Sequence, residues 1–242
     1  MDGDSNPLLF KIFVEGTRKM SKIELHVHTS ECDLVAAESG ANIVRMYKDI
    51  GYDGLVITDH YFSLFYEWFK DELAFADHKK IIDRWLKGYY SAKNEAEKIG
   101  FTVLSGAEVR FDGTINDYLV YGLDAEDFYS LPLLNRLKNV DELISVLPKK
   151  AVVVQAHPFR NEMTVKDPSN LFGIEIHNGC TDEFRNNLAK VYAEYYGKRM
   201  TSGSDFHSKN ALAKGGIITS SNVRNASDLV SVLRAGNYEL II

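Results

Sequence analysis

The sequence predicts an α/β fold built as a single domain, with short strands and amphipathic helices in alternation. Three observations carry that expectation. From Lys22 onward, β-branched or apolar runs alternate with longer amphipathic stretches, and no linker, repeat or low-complexity block interrupts the series. The chain has 242 residues and 45% hydrophobic content, enough to bury a substantial core without disulfides or a partner. Of its seven histidines, all but His78 fall at the end of an expected strand or just beyond it. Alternation of this kind means either a barrel or a doubly wound sheet, and the length sits near the ~250 residues of a strand–helix barrel.

In chain order, residues 1–21 read as an N-terminal extension and 22–242 as the core domain. The apolar run at 8–14 is broken by Lys11 and preceded by Asp2 and Asp4, so it is neither a signal peptide nor a membrane span. Strands are expected at 22–26, 54–58, 101–107, 118–121, 151–156, 172–176, 199–202 and 216–218. The clearest helix covers 77–99, where Ile81, Ile82, Trp85, Leu86, Tyr89, Ala92 and Ala96 recur at three- and four-residue intervals and Gly100 ends the run. Further helices are expected at 41–50, 140–147, 183–196 and 226–234.

A net charge of -6 and a pI near 5.7 argue against a protein that grips nucleic acid by broad phosphate neutralisation, and they favour a small soluble substrate. Cys32 and Cys180 are too few and too far apart for a secreted disulfide framework. A reducing cytoplasm, with no membrane attachment, is the expected setting.

The chemistry collects at strand ends. In parallel α/β folds the carboxyl ends of the strands share one face, so residues distant in sequence converge there. In Glu24-Leu25-His26-Val27-His28 the two imidazoles have period-two spacing and can reach one ion. An isolated His-x-His is more often a chance surface pair, but other strands end alike: Thr58-Asp59-His60, Gly106-Ala107-Glu108, Gln155-Ala156-His157-Pro158 and Gly203-Ser204-Asp205-Phe206-His207. So many buried acids and imidazoles need a compensating positive charge, and a metal cluster supplies one.

This ordered set resembles the PHP family, named for its polymerase-associated and histidinol phosphatase members, over about residues 23–218. The resemblance implies a distorted (βα)7 barrel holding two or three divalent ions, Zn, Mn or Fe, and phosphoester hydrolysis as the activity. Carried over by position, it implies that His26, His28, Glu108 and Asp205 form one metal site, that Glu108 bridges to a second ion with His157, and that His60 and His207 serve a third. Where some members place another histidine, this chain reads Thr29-Ser30-Glu31-Cys32-Asp33-Leu34, which makes Asp33 the candidate replacement ligand. Where trinuclear members place a later histidine, the chain has Asp124, read here as a helix cap before a ligand. Two well-occupied ions are the expectation from these departures.

A hydroxide bridging two cations would attack phosphorus in line, with the ions neutralising the phosphoryl oxygens. Arg160, three residues after His157, is a candidate phosphate contact, with an ordinary surface arginine as the alternative. His177 is a candidate proton donor or substrate contact, against a hydrogen-bonded structural histidine. Asp59 could orient a neighbouring imidazole, His78 reads as surface, and Cys32 has no activating base beside it. The aromatic run of Phe62, Phe65, Tyr66, Trp68 and Phe69 reads as packing before a lid. The expected substrate is a small phosphate monoester or a nucleotide. A nuclease or phosphodiesterase trimming nucleic-acid ends ranks below it because of the acidic balance, and a non-catalytic metal-binding regulator ranks lower still.

Overall fold

The computed structural model describes residues 20–242, so the expected N-terminal extension falls almost wholly outside the described residues. The first strand, β1 (Ser21–Val27), leads into α1 (Gly40–Asp49), capped by the Ser39 hydroxyl, and then β2 (Gly54–Ile57) and the short β3 (His60–Tyr61). The aromatic run forms α2 (Ser63–Trp68) and leads to α3 (Lys70–Leu73). Phe62, Phe65 and Phe69 are buried in the core, as the packing reading requires.

The expected helix over 77–99 is two helices, α4 (His78–Trp85) and α5 (Lys87–Ile99). Leu86 between them keeps angles near the helical region (φ -76°, ψ 0°), so the apolar periodicity runs on across the break and hides it from the sequence. Asp77 caps the first helix, and Gly100, at φ +65°, ends the second.

Residues expected to form one strand at 101–107 are divided between β4 (Thr102–Ser105) and β5 (Ala107–Arg110). At Gly106 the chain passes from one sheet to the other, and a Cβ there would lie 2.8 Å from Val56 Cγ1 and 2.9 Å from the Val120 carbonyl oxygen. After β6 (Asp117–Tyr121) come α6 (Val140–Val146), β7 (Val152–Gln155), β8 (Gly173–Asn178), α7 (Glu183–Tyr195), β9 (Arg199–Gly203), β10 (Ile217–Thr219), α8 (Ala226–Ala235) and β11 (Glu239–Leu240).

Hydrogen bonding sorts the strands into two mixed sheets, ordered β11-β10-β1-β2-β4 and β3-β5-β6-β7-β8-β9. Parallel pairing is interrupted at two strands: β6 is antiparallel to both neighbours, and β10 is antiparallel to β1 and β11. For β6 the reason is connection length. Only residues 111–116 separate it from β5, too few for a crossover that would return the chain parallel. The two sheets meet where Val27 bridges Phe206 and along β1 and β9.

Inward residues of both sheets, Ile23, Leu25, Val56, Leu104, Leu119, Val154 and Ile217, share one apolar core. Outside it, α1 and α5 cover β2 and β4, while α4 and α7 cover the other sheet. Among the described residues no helix is long and apolar enough to cross a membrane.

Candidate metal centre

The polar cluster sits at one end of the inner core, and a bulge in β1 puts its first two residues there. The register of β1 on β2 shifts between Glu24 and Val27, which inverts the alternation. His26 and His28 therefore face inward as Ile23 and Leu25 do, while Val27 packs outside. Glu24 stabilises the bulge, its Oε1 accepting from the backbone N–H of Leu25 (2.9 Å), His26 (3.1 Å) and Ser204 (2.8 Å). Both imidazoles are fully buried.

Glu108, on β5, is the hub. Its carboxylate lies 3.4 Å from His26 Nε2, 3.4 Å from His28 Nε2, 3.0 Å from His60 Nε2 and 3.0 Å from His157 Nε2. Asp205 adds its Oδ1 at 3.3 Å from His28 Nε2 and 3.6 Å from His26 Nε2. On one flank Asp33 contacts His60 Nδ1 and lies 3.6 Å from both His28 Nδ1 and His207 Nε2. The other flank holds Asp117, 3.9 Å from His157 Nε2. Ligand atoms within 4.8 Å of one another thus occur as His26, His28 and Glu108; as His26, His157 and Asp205; as Glu108, Asp117 and His157; and as His28, Asp33, His60 and His207. All eight residues named as ligands from the sequence come together. Two of them, His157 and Asp205, hold positive φ angles (24° and 52°), local strain of the kind found where a backbone is bent to aim a side chain.

Sequence reasoning missed Asp117, Glu175, Asn178 and Arg110. Asp117 begins an antiparallel strand, so it reaches the cluster from the amino end of β6, whereas the ligands expected from the sequence stand at carboxyl ends. Arg110 is its cross-strand partner, donating from Nε and Nη2 at 2.6 Å each to the Asp117 carboxylate. Glu175 lies buried between Ile174 and Ile176, and a carboxylate in such a strand was the available signal. Its Oε1 pairs with His26 Nδ1 at 2.8 Å, while Oε2 accepts from the His157 N–H and from Asn178 Nδ2, both at 3.0 Å. Gly203 makes room for this, since a Cβ there would strike His26 and Glu175.

His177 is not brought into the cluster. The register of β8 on β9 shifts between Glu175 and His177, so Asn178 turns inward to donate to Asp205 (3.2 Å). His177 instead places Nε2 2.8 Å from the Lys214 carbonyl oxygen, outside every ligand group. Arg160 lies at the rim, its Nη2 donating to Asp117 at 3.2 Å. Asp124 caps the turn 125–129 and pairs with Lys150 (2.8 Å), away from the cluster. Asp59 accepts from Thr29 N–H and Oγ1, fastening the loop after β1 and not an imidazole. His78 opens α4, and Cys32 is buried in the core.

Electrostatics divide the imidazoles. Burial opposes a charge on His26, yet Glu175, Asp205 and Glu108 outweigh it and hold its pKa well above the usual range. Burial is likewise overcome at His60, raised to about 10 by Glu108 and Asp33, and at His207, raised to about 9 by Asp205 and Asp33. His28 goes the other way, to about 3, because burial is reinforced by His207 and His60. Burial pushes the carboxylates up, but the histidines pull Asp33, Glu108 and Asp205 well below their ordinary values.

The donor set fits divalent ions. His26 Nε2, His28 Nε2 and Asp205 Oδ1, which face one another and Glu108, are buried with no hydrogen-bond partner among the described residues, a costly state that coordination would relieve. Imidazole and carboxylate without thiolate suit Zn, Mn or Fe.

A family model described as PHP-associated matches residues 183–238, the stretch that carries Asp205 and His207. That match supports the resemblance to the PHP family carried by the sequence motifs. The chain's fold recurs in a two-domain protein from Bacteroides vulgatus containing a predicted PHP-like metal-dependent phosphoesterase (TM-score 0.63, 17% identity, 92% of this chain and 64% of that one). It recurs also in PsfC from Pseudomonas syringae (TM-score 0.61, 19% identity, 88% of each chain). A third likeness is to Endonuclease Q, seen in complex with a 27-mer duplex carrying an abasic lesion at its active site (TM-score 0.59, 9% identity, 91% of this chain and 58% of that one). No curated protein matches the sequence. The chain spans 64% of the length of the Bacteroides protein, and identities this low establish shared fold alone.

Proposed function

We propose that residues 22–242 act as one metal-dependent phosphoesterase domain, hydrolysing a small phosphate monoester or a nucleotide. The single observation that carries the reading is the Glu108 carboxylate, within 3.4 Å of four imidazoles from three separate parts of the chain. His26, His28, Glu108 and Asp205 would hold one divalent ion, Glu108, Asp117 and His157 a second, and Asp33, His60 and His207 a third. Bound there, such ions supply a water acidified from about 15.7 toward roughly 7 and offset the charge developing on phosphoryl oxygens.

The chain's own residues do the rest. Glu175 fixes the His26 tautomer, leaving Nε2 free to ligate. Arg160 and Arg110 converge on Asp117 at the rim, and Arg160, 37% exposed, can turn its paired donors to phosphate oxygens while Arg110 keeps the Asp117 carboxylate in place. On the same reading the two sheets are halves of one distorted barrel, joined through Gly106 and along β1 and β9.

A nuclease reading gains from the likeness to Endonuclease Q and loses from the acidic charge. One assay separates them: protein reconstituted with Zn, Mn or Fe is offered sugar, amino-acid and nucleotide phosphates beside short oligonucleotides. Turnover of the small monoesters is expected. Preference for oligonucleotides would replace the monoester reading with the nuclease one, and no turnover with any metal would defeat both.

A further inference from the structure

The hairpin of β5 and β6 has two faces, and only one of them serves the metal centre. Arg110 and Asp117 pair across it on the inner side. The alternate residues Phe111 and Tyr118 face outward, onto a cavity of about 650 Å³ walled by residues 113–116, 138–141 and 164–170. That volume lies within the range of small-molecule sites.

We propose that this cavity is a second binding site, separate from the metal centre, for a small planar aromatic anion. The floor is aromatic: the Phe111 and Tyr118 rings lie 5.5 Å apart at 35°. Two carboxylates share the rim and are held in place by neutral donors, Asp141 by the Asn170 amide (2.7 Å) and Asp167 by the Ser169 N–H (2.9 Å). The ammoniums are not held. Lys138 and Lys166 line the same cavity, and neither ammonium has an ion-pair or hydrogen-bond partner among the described residues. An apolar plane for stacking beside two ammoniums that have no direct partner and can turn toward a ligand selects a flat ligand with an anionic end.

Polar demand extends along the same face. Gln155 is the cross-strand partner of Tyr118; it is fully buried, and neither amide atom has a hydrogen-bond partner among the described residues. Separation from the metal centre follows from Asn116. Its side chain, 3% exposed, donates to the Thr164 carbonyl (2.6 Å) and accepts from the Thr164 N–H (2.8 Å), closing the gap between the hairpin and the 164–170 loop.

The test titrates the full, metal-loaded chain with 1-anilinonaphthalene-8-sulfonate, following its fluorescence and, by calorimetry, its stoichiometry. One molecule per chain is expected, with affinity about tenfold weaker in the Lys138→Ala/Lys166→Ala double variant, two exposed ion pairs' worth. Tyr118→Leu, which keeps an apolar floor but removes the ring, should also weaken it, and unchanged melting checks that each variant is folded. Asp205→Asn should leave probe binding as in the parent chain. Absence of saturable binding, equal affinity in the lysine double variant, or loss of binding in Asp205→Asn would each overturn the proposal, the last because the probe would then occupy the metal centre.

Discussion

Glu175→Gln isolates the part of the centre that touches no proposed ion. In the native chain the carboxylate accepts three hydrogen bonds, from His26 Nδ1, the His157 N–H and Asn178 Nδ2. A glutamine of the same size keeps one oxygen acceptor but turns an NH2 group against at least one of those donors. Loss of one hydrogen bond to a charged group costs about 1.5–3 kcal/mol, which at about 1.4 kcal/mol per tenfold is roughly 10- to 100-fold in metal affinity. The effect should fall on the site served by His26, since its ring would be free to rotate or change tautomer. The assay is competition against a chelator of known affinity, with turnover measured at saturating metal. Weakened affinity with a normal melting temperature is expected. Affinity and turnover within twofold of the parent would refute the claim that Glu175 sets the His26 ring for coordination.

Replacing the hub should be harsher. Glu108→Gln or His28→Ala should lower turnover by more than about 100-fold, because a lost ligand exceeds the cost of a lost support, and full activity in both would reverse the assignment. Arg160→Ala should raise KM about tenfold through one charged hydrogen bond while metal content stays the same; unchanged kinetics would return Arg160 to the role of a surface arginine. The raised pKa values of His26, His60 and His207 mean that these rings are protonated at pH 7 without metal. Loading should therefore expel about three protons per chain, read by calorimetry in two buffers of different ionisation enthalpy, and a buffer-independent heat would count against it. Metal-free stability follows the same groups. The raised imidazoles contribute fully below about pH 6.5 and lose that contribution as pH climbs through about 9 to 10. The depressed Asp33, Glu108 and Asp205 contribute above the ordinary carboxylate range and lose it as acid reaches their lowered values. His28, neutral in the fold down to about 3, subtracts stability below about pH 6.5. A melting-temperature profile of chelated protein should thus be highest between these limits.

The alternation of apolar runs was enough to place seven of the eight expected strands and most helices, because half-buried elements must repeat apolar residues at their own period, while the run at 101–107 proved to be two strands parted at Gly106. What it could not show was direction. Asp117 was passed over because β6 runs antiparallel, a consequence of a six-residue connection and not of anything in the strand itself. Bulges were equally silent. The shift in β1 aims His26 and His28 inward, where alternation from Ile23 alone would have divided the pair from the core, and the shift in β8 swaps Asn178 for His177. The Asp33 contact with His60 and His207 was legible because the PHP resemblance fixed where a ligand had to stand. Glu175 was not, because nothing in a linear string tells a buried carboxylate that supports an imidazole from one that forms a salt bridge.

The central claim is that Glu108 is a ligand shared by divalent ions. A crystal of the reconstituted protein, with diffraction recorded on both sides of the metal's absorption edge, addresses it directly. Anomalous peaks should lie beside Glu108 between His26, His28 and Asp205 and toward Asp117 and His157, with a further one among Asp33, His60 and His207. Peaks confined to other parts of the surface, with these side chains bonded only to one another, would show that the cluster is a salt-bridge network and the hydrolase reading mistaken.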